Sequence, residues 1–212
     1  MLLSFDVVAE AIAEHDRWHT HEHLPERLSI PGFLRGTRWV GSRQAPRYMV
    51  LYEVEGLDAL TSDAYLDRLN NPSPWTARIM SCYRGMHRGF CSILGSFGLG
   101  TGHACALIRF KPDPAARVHH WLLKEAMPAL PSQPGLGSVH LLRGVSTPSM
   151  TNEQRLRGAD GRVHSALIVT GYDRAAVEAA AQTIVADKGM AGAEEATLAI
   201  YEIGYSLERA EI

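Results

Sequence analysis

Apolar and polar positions change period several times along the chain, and each change marks an element. From Leu2 to Val8 they alternate: Leu3, Phe5 and Val7 share one face and Ser4 and Asp6 the other, which predicts a strand. Ala9 to about Leu28 is rich in helix formers until Pro25 intrudes, so a helix is expected there. Pro31-Gly32 is a stop signal. Phe33 to Val40 and Tyr48 to Glu55 are rich in β-branched, aromatic and aliphatic residues and flank a turn-like segment from Gly41 to Pro46, which predicts a hairpin. Leu57 to Leu69 reads as a second helix ended by Asn70-Asn71-Pro72, and a further strand is expected from about Gly89 to Phe97. The first half is therefore β-α-β-β-α-β.

The order then recurs. Ala104 to Phe110 reads as a strand, Ala115 to Ala129 as a helix, Ser138 to Leu142 and Ser165 to Tyr172 as strands, Arg174 to Asp187 as a helix and Thr197 to Tyr205 as a strand. A direct alignment supports the recurrence. When residues 18 to 32 are laid over residues 121 to 135, six of the fifteen positions are identical: Trp18/Trp121, Glu22/Glu125, Pro25/Pro128, Ser29/Ser132, and Pro31-Gly32 with Pro134-Gly135. Background composition gives about one. Two copies make a duplication, since a solenoid needs about three or more units. The expected fold is α+β, with two tandem ferredoxin-like β-α-β-β-α-β repeats, residues 1–98 and 103–212, joined by a glycine-rich linker at 99–102. Each repeat leaves one sheet face bare, and packing the two bare faces together makes an intrachain dimeric α/β barrel with room for a small molecule. Such a chain is a monomer with an internal pseudo-dimer, or a homodimer. Val145 to Val163 is a long polar connection with no counterpart of that length in the first hairpin, either a cover for a pocket or a disordered segment.

Composition narrows the function. At 212 residues and 46% hydrophobic content a real core can be filled, and a formal charge of -2 offers no general attraction to nucleic acid or anionic membranes. Met1 to Val8 has no basic residue ahead of its apolar run, and no stretch approaches the ~18 apolar residues of a membrane span, so a cytoplasmic location is expected. Three cysteines without a CxxC pair argue against a disulfide framework or zinc knuckle and read as reduced, mostly buried thiols.

The most unusual stretch is Trp18-His19-Thr20-His21-Glu22-His23-Leu24-Pro25, which with His15 holds four of the ten histidines. On a helix His15, His19 and His23 project along one side. Imidazole exchanges protons near neutral pH, so this stripe suits acid–base work or ligand contact, with Glu22 or Glu26 available to orient a ring; the alternative is a partly solvated, hydrogen-bonded helix face. Metal binding is not expected, because an i, i+4 pair supplies two ligands where zinc needs three or four and no HExxH occurs. A GxSxG elbow is absent, and the Gly-x-Gly pairs in Gly98 to Gly102 lack a dinucleotide-binding context, so no cofactor is assigned.

Trp18, Glu22-His23-Leu24-Pro25 and Pro31-Gly32-Phe33 together resemble the W/Y-x(n)-EH-x-P-x(n)-PGF pattern of EthD-like proteins in the dimeric α/β-barrel superfamily. The resemblance implies ferredoxin-like halves, a cavity between sheet and helix, and a functional histidine at His23. It also implies activities ranging over cofactor-independent monooxygenases, isomerases, and polyketide cyclases or decarboxylases. Ala126 stands where the second copy would carry His23, which confines imidazole chemistry to the first half. His23 and Glu22 are then the expected catalytic pair. Trp18, His19, Asp6, Arg38, Tyr48 and Tyr52 are expected to contact a phenolic, aromatic-catabolic or polyketide-like ligand, Trp18 having core packing as its alternative. The competing functions are a non-catalytic small-molecule-binding or accessory protein, and a haem-binding protein.

Overall fold

The computed structural model describes residues 1–41, 46–111, 114, 116–145, 150–193 and 195–212. Its strands are β1 (Leu2–Val7), β2 (Phe33–Gly41), β3 (Tyr48–Val54), β4 (Tyr83–Gly98), β5 (Ala104–Phe110), β6 (Leu136–Val145), β7 (Gly161–Arg162), β8 (Ser165–Gly171) and β9 (Thr197–Glu208). Its α-helical segments are α1 (Ile12–Trp18), α2 (Leu24–Leu28), α3 (Asp63–Asn70), α4 (Pro74–Met80), α5 (Ala116–Trp121), α6 (Met127–Ala129), α7 (Asn152–Arg157) and α8 (Arg174–Ala186).

Eight strands close into an antiparallel barrel in the order β1-β3-β2-β9-β5-β8-β6-β4, with β4 returning to β1. Each half supplies four neighbours, β4-β1-β3-β2 and β9-β5-β8-β6, and the halves meet along β2–β9 and β4–β6. Closure leaves no open edge on the eight. The two-residue β7 lies outside, parallel to β4.

Alternation along the strands sorts side chains into three apolar cores. Leu2, Trp39, Met49, Leu107, Leu142, Ile168 and Tyr201 pack inside the barrel. Phe5, Val7, Tyr48, Val50 and Tyr52 point outward from the first sheet and pack against Trp18, Leu24, Tyr65 and Ile79 of its helices. Ala106, Ile108, Val139, Leu167 and Val169 do the same in the second half, against Val118, Leu122 and Val177. Tyr48, Val50 and Tyr52 share this outward face.

The long helices expected over 9–28 and 115–129 are each interrupted by a π-helical turn, His19–His23 and Leu122–Ala126. The wide turn closes through Leu24 N to the His19 carbonyl, and Met127 N to that of Leu122. A proline follows immediately in both, Pro25 and Pro128. Proline has no N–H to give its i−4 carbonyl and clashes with it, and the widened turn makes room for the ring. After each, a glycine at positive φ turns the chain into the next strand, Gly32 at 86° and Gly135 at 88°. A Cβ at either would collide with Ala59 or Ala176, so glycine is required on two counts.

Two α-helices, α4 and α7, and the two-residue β7 escaped the sequence reading. Ser73, as N-cap, accepts from Thr76 N and opens α4 with Pro74 in its first turn. The connection after β6 contains α7, opened by a Thr151/Gln154 capping box, and α7 packs on α3 and α4 of the first half. The turn at 42–45, the expected helix start at Ala115 and positions 146–149 of the long connection lie outside the described residues. Among the described residues no helix is long and apolar enough to cross a membrane.

Candidate functional site

The histidine stripe faces inward, toward the outer surface of the first sheet. His15, His19 and His23 stack as a column, with ring centroids 5.5 Å and 5.6 Å apart, and His23 lies against Trp18 at 4.3 Å. All three are buried. Arg27, four residues further along, continues the stripe and is also buried. At the positions 103 residues later the second half carries Val118, Leu122, Ala126 and Leu130, so the same face is apolar there. This contrast isolates the polar stripe as a feature of the first half alone.

The stripe borders a cavity of about 30 Å³, whose walls include His19, His23, Arg27, Tyr52, Tyr83 and Glu153. That space holds about two waters; a cavity near 150 Å³ is needed for a benzene-sized ring. Phe5, Val50, Leu69, Met80 and Met86 supply apolar wall. Nδ1 of His19, Nδ1 of His23 and the Tyr52 hydroxyl are buried without a hydrogen-bond partner. Unpartnered buried polar atoms are rare in folded proteins and call for an account; three on residues around one cavity mark a place kept polar at a cost.

Burial holds both rings neutral. Desolvation, reinforced by the positive charge of neighbouring groups including Arg27, lowers His23 well below the ordinary histidine value, and desolvation with nearby His15 and Arg38 does so for His19. Desolvation likewise raises the Tyr52 hydroxyl, which stays protonated. His15 is held differently: its Nδ1 meets Asp16 at 3.3 Å and its Nε2 meets the Tyr83 hydroxyl at 3.3 Å.

The cover comes from the other half. Glu153 of α7 receives a hydrogen bond from the Arg27 guanidinium, both side chains being buried. Arg157 reaches Asp160 at 2.7 Å and lies 3.9 Å from Glu153, and Arg88 lies 3.9 Å from Asp160. Asn152 donates to the Asn70 carbonyl at 2.6 Å. Three arginines and the acids Glu26, Glu153 and Asp160 therefore form one largely buried network that pins α7 over the cavity. The long connection does cover a pocket.

Of the residues singled out from sequence, His19, His23 and Tyr52 come together on the cavity wall and Trp18 backs them. The others lie elsewhere. Glu22 accepts from Trp18 Nε1 and Thr76 Oγ1, each at 3.2 Å, and from Ser73, tying the π turn to the start of α4; it orients neither histidine. The Tyr48 hydroxyl donates to Asp16 at 2.8 Å, and Arg38 donates to the Asp16 carbonyl at 3.0 Å. Asp6 has the barrel-side phase but sits exposed at the strand end, accepting from Arg47 N at 2.7 Å. Arg27 was missed although it keeps the i+4 spacing of the stripe, while Glu153 and Arg157 carry no local signal. Among the described residues no group of three or more histidine, cysteine or acidic side chains is placed to hold a metal ion.

No family model matches the chain, and no curated protein does. Solved structures do match along nearly its whole length. An anthrone oxidase-like protein superposes with a TM-score of 0.59 at 12% identity, covering 98% of this chain and 91% of its own. The chain has the dimeric α/β-barrel fold. A candidate monooxygenase from Lactobacillus acidophilus gives 0.57 at 10% identity, covering 98% and 94%, and one from Fusobacterium nucleatum gives 0.56 at 10%, covering 98% and 92%. At these identities the likeness is one of fold.

Proposed function

We propose that this chain is a small-molecule enzyme of the EthD-like type, using cofactor-independent acid–base chemistry of the isomerase, lyase or monooxygenase kind on an aromatic-catabolic or polyketide-like compound. One observation carries the reading: neutral imidazoles and an unpartnered tyrosine hydroxyl line a small buried cavity in one half, while the matching face of the other half is apolar. His23 takes a proton from a phenol or from carbon beside a carbonyl. The imidazolium so formed pairs with the oxyanion left on the substrate in a low-dielectric space, where that attraction is strong. Tyr52 hydrogen-bonds the substrate oxygen, and Trp18 holds the His23 ring in place.

The cavity as found admits waters only, so substrate entry requires α7 to lift from Arg27. We read the chain as a duplicated ferredoxin-like unit, residues 1–98 and 103–212, in which the second copy lost the histidine and supplied the cover; the paired π turns and the paired positive-φ glycines support this. The neighbours' descriptions as oxidase-like and monooxygenase-like fit the same chemistry. The test is His23→Ala against a panel of phenolic acids, lactones and quinones. Lost turnover with retained binding supports an enzyme, and full turnover removes His23 from the mechanism.

A further inference from the structure

A second cavity, of about 410 Å³, opens at one end of the barrel between the two sheets, within the size range of small-molecule sites. Trp39, Leu142 and Ile168 form apolar wall, and Ser96, Ser138 and His140 line it from β4 and β6. Ser96 and His140 are direct cross-strand neighbours.

Counting protons fixes how these side chains are wired. Ser138 Oγ lies 2.8 Å from the Gly100 carbonyl, which can only accept, so the single Ser138 proton goes there. Ser138 must then accept from its other partners, Thr170 Oγ1 at 2.8 Å and His140 Nε2 at 3.1 Å. The His140 proton is therefore on Nε2. Its Nδ1 is left as a bare acceptor, and Ser96 Oγ stands 2.7 Å from it. Ser96 donates to His140, His140 to Ser138, and Ser138 to the backbone: a nucleophile, a base, and an anchor that sets the base's tautomer. Burial keeps the His140 ring neutral, ready to accept, and the Glu53 carboxylate on the same cavity wall favours the cation it becomes. Gly100 and Thr101 also line the cavity.

We propose that Ser96 and His140 form a second catalytic site, one that transfers the acyl group of small esters with an apolar body. Ser96 Oγ adds to the ester carbonyl carbon as its proton passes to His140 Nδ1, and the imidazolium so formed lies beside the tetrahedral oxyanion. Collapse breaks the ester C–O bond, and His140 returns the proton to the departing alcohol. Water then repeats the sequence on the acyl-serine, releasing the acid and restoring Ser96. No oxidant or reductant is consumed.

The full chain is treated with a fluorophosphonate and mapped by peptide mass, and hydrolysis of p-nitrophenyl butyrate is followed in parallel. The expected result is one adduct, on Ser96, with turnover reduced at least ~100-fold in Ser96→Ala and in His140→Ala and unchanged in Ser92→Ala on the same strand. Ser138 is a positioning residue: Ser138→Ala should lower kcat at constant KM, and Ser138→Thr should restore it. An adduct on another serine, no adduct, or undiminished hydrolysis by Ser96→Ala would overturn the assignment. Because His23 takes no part in this assay, its outcome is separate from that of the histidine-stripe reading.

Discussion

Acidification should unfold this protein through two histidines. His19 and His23 are buried neutral, with folded-state values depressed below the ordinary 6.5 by desolvation. As pH falls past 6.5 the unfolded chain takes up protons that the folded rings refuse. The stability they contribute is therefore full above 6.5 and is lost progressively below it, down to the depressed folded values. Integrated from pH 6.5, where the unfolded ring is half protonated, to pH 5.5, each ring costs about 1 kcal/mol, so the pair costs ~2 kcal/mol over that unit. With a urea slope near 2 kcal/mol/M, the midpoint should fall by roughly 1 M over that unit. The matched control is His19→Leu with His23→Ala, which installs the residues the second half carries at Leu122 and Ala126. Urea melts of both proteins at pH 7.5, 6.5 and 5.5 give the slopes directly. The double variant should lose that share of the dependence, whatever its absolute stability. Equal slopes for the two proteins would refute the burial argument.

Other outcomes follow from the same structure. Glu153→Ala leaves the buried Arg27 with Glu26 alone, at 3.3 Å, and should cost about 3 kcal/mol, with α7 amides exchanging faster than the rest of the chain in hydrogen exchange; unchanged protection of α7 would mean the ion network does not pin it. Gly32→Ala forces a Cβ into the left-handed region and against Ala59, and should lower stability by at least ~1 kcal/mol, measured as a drop in Tm. If His23 is the base, kcat/KM for a turned-over substrate should be flat from pH 6.5 to 9, since the ring is already deprotonated across that range; an acid limb centred on 6.5 would place the proton elsewhere.

Much of the architecture is legible because it is local. The period-2 runs put Tyr48, Val50 and Tyr52 on one face, and the i+4 spacing of His15, His19 and His23 put three imidazoles in a column. The same spacing extends to Arg27, which lies within the helix expected to about Leu28, so its signal was present in the sequence. Ser73-Pro74 is an N-terminal helix signal that the preceding Asn70-Asn71-Pro72 stop concealed. The early part of β4, Tyr83-Arg84-Gly85-Met86-His87-Arg88, lacks apolar alternation and is a strand because β1 pairs with it. The cover is the least legible part. Arg27 and Glu153 lie 126 positions apart, and nothing near either residue announces the other. Glu22 shows the opposite error, for adjacency to His23 suggested a partnership, yet successive helix positions point apart and the carboxylate serves Trp18, Ser73 and Thr76.

The most direct test of the account is a crystal structure of the protein soaked with a mixture of phenolic acids, lactones and quinones. The account predicts density beside His23 and Tyr52, with α7 displaced from Arg27 and the cavity enlarged to take the ring. A closed cavity holding only waters, with every soaked compound bound elsewhere, would contradict it.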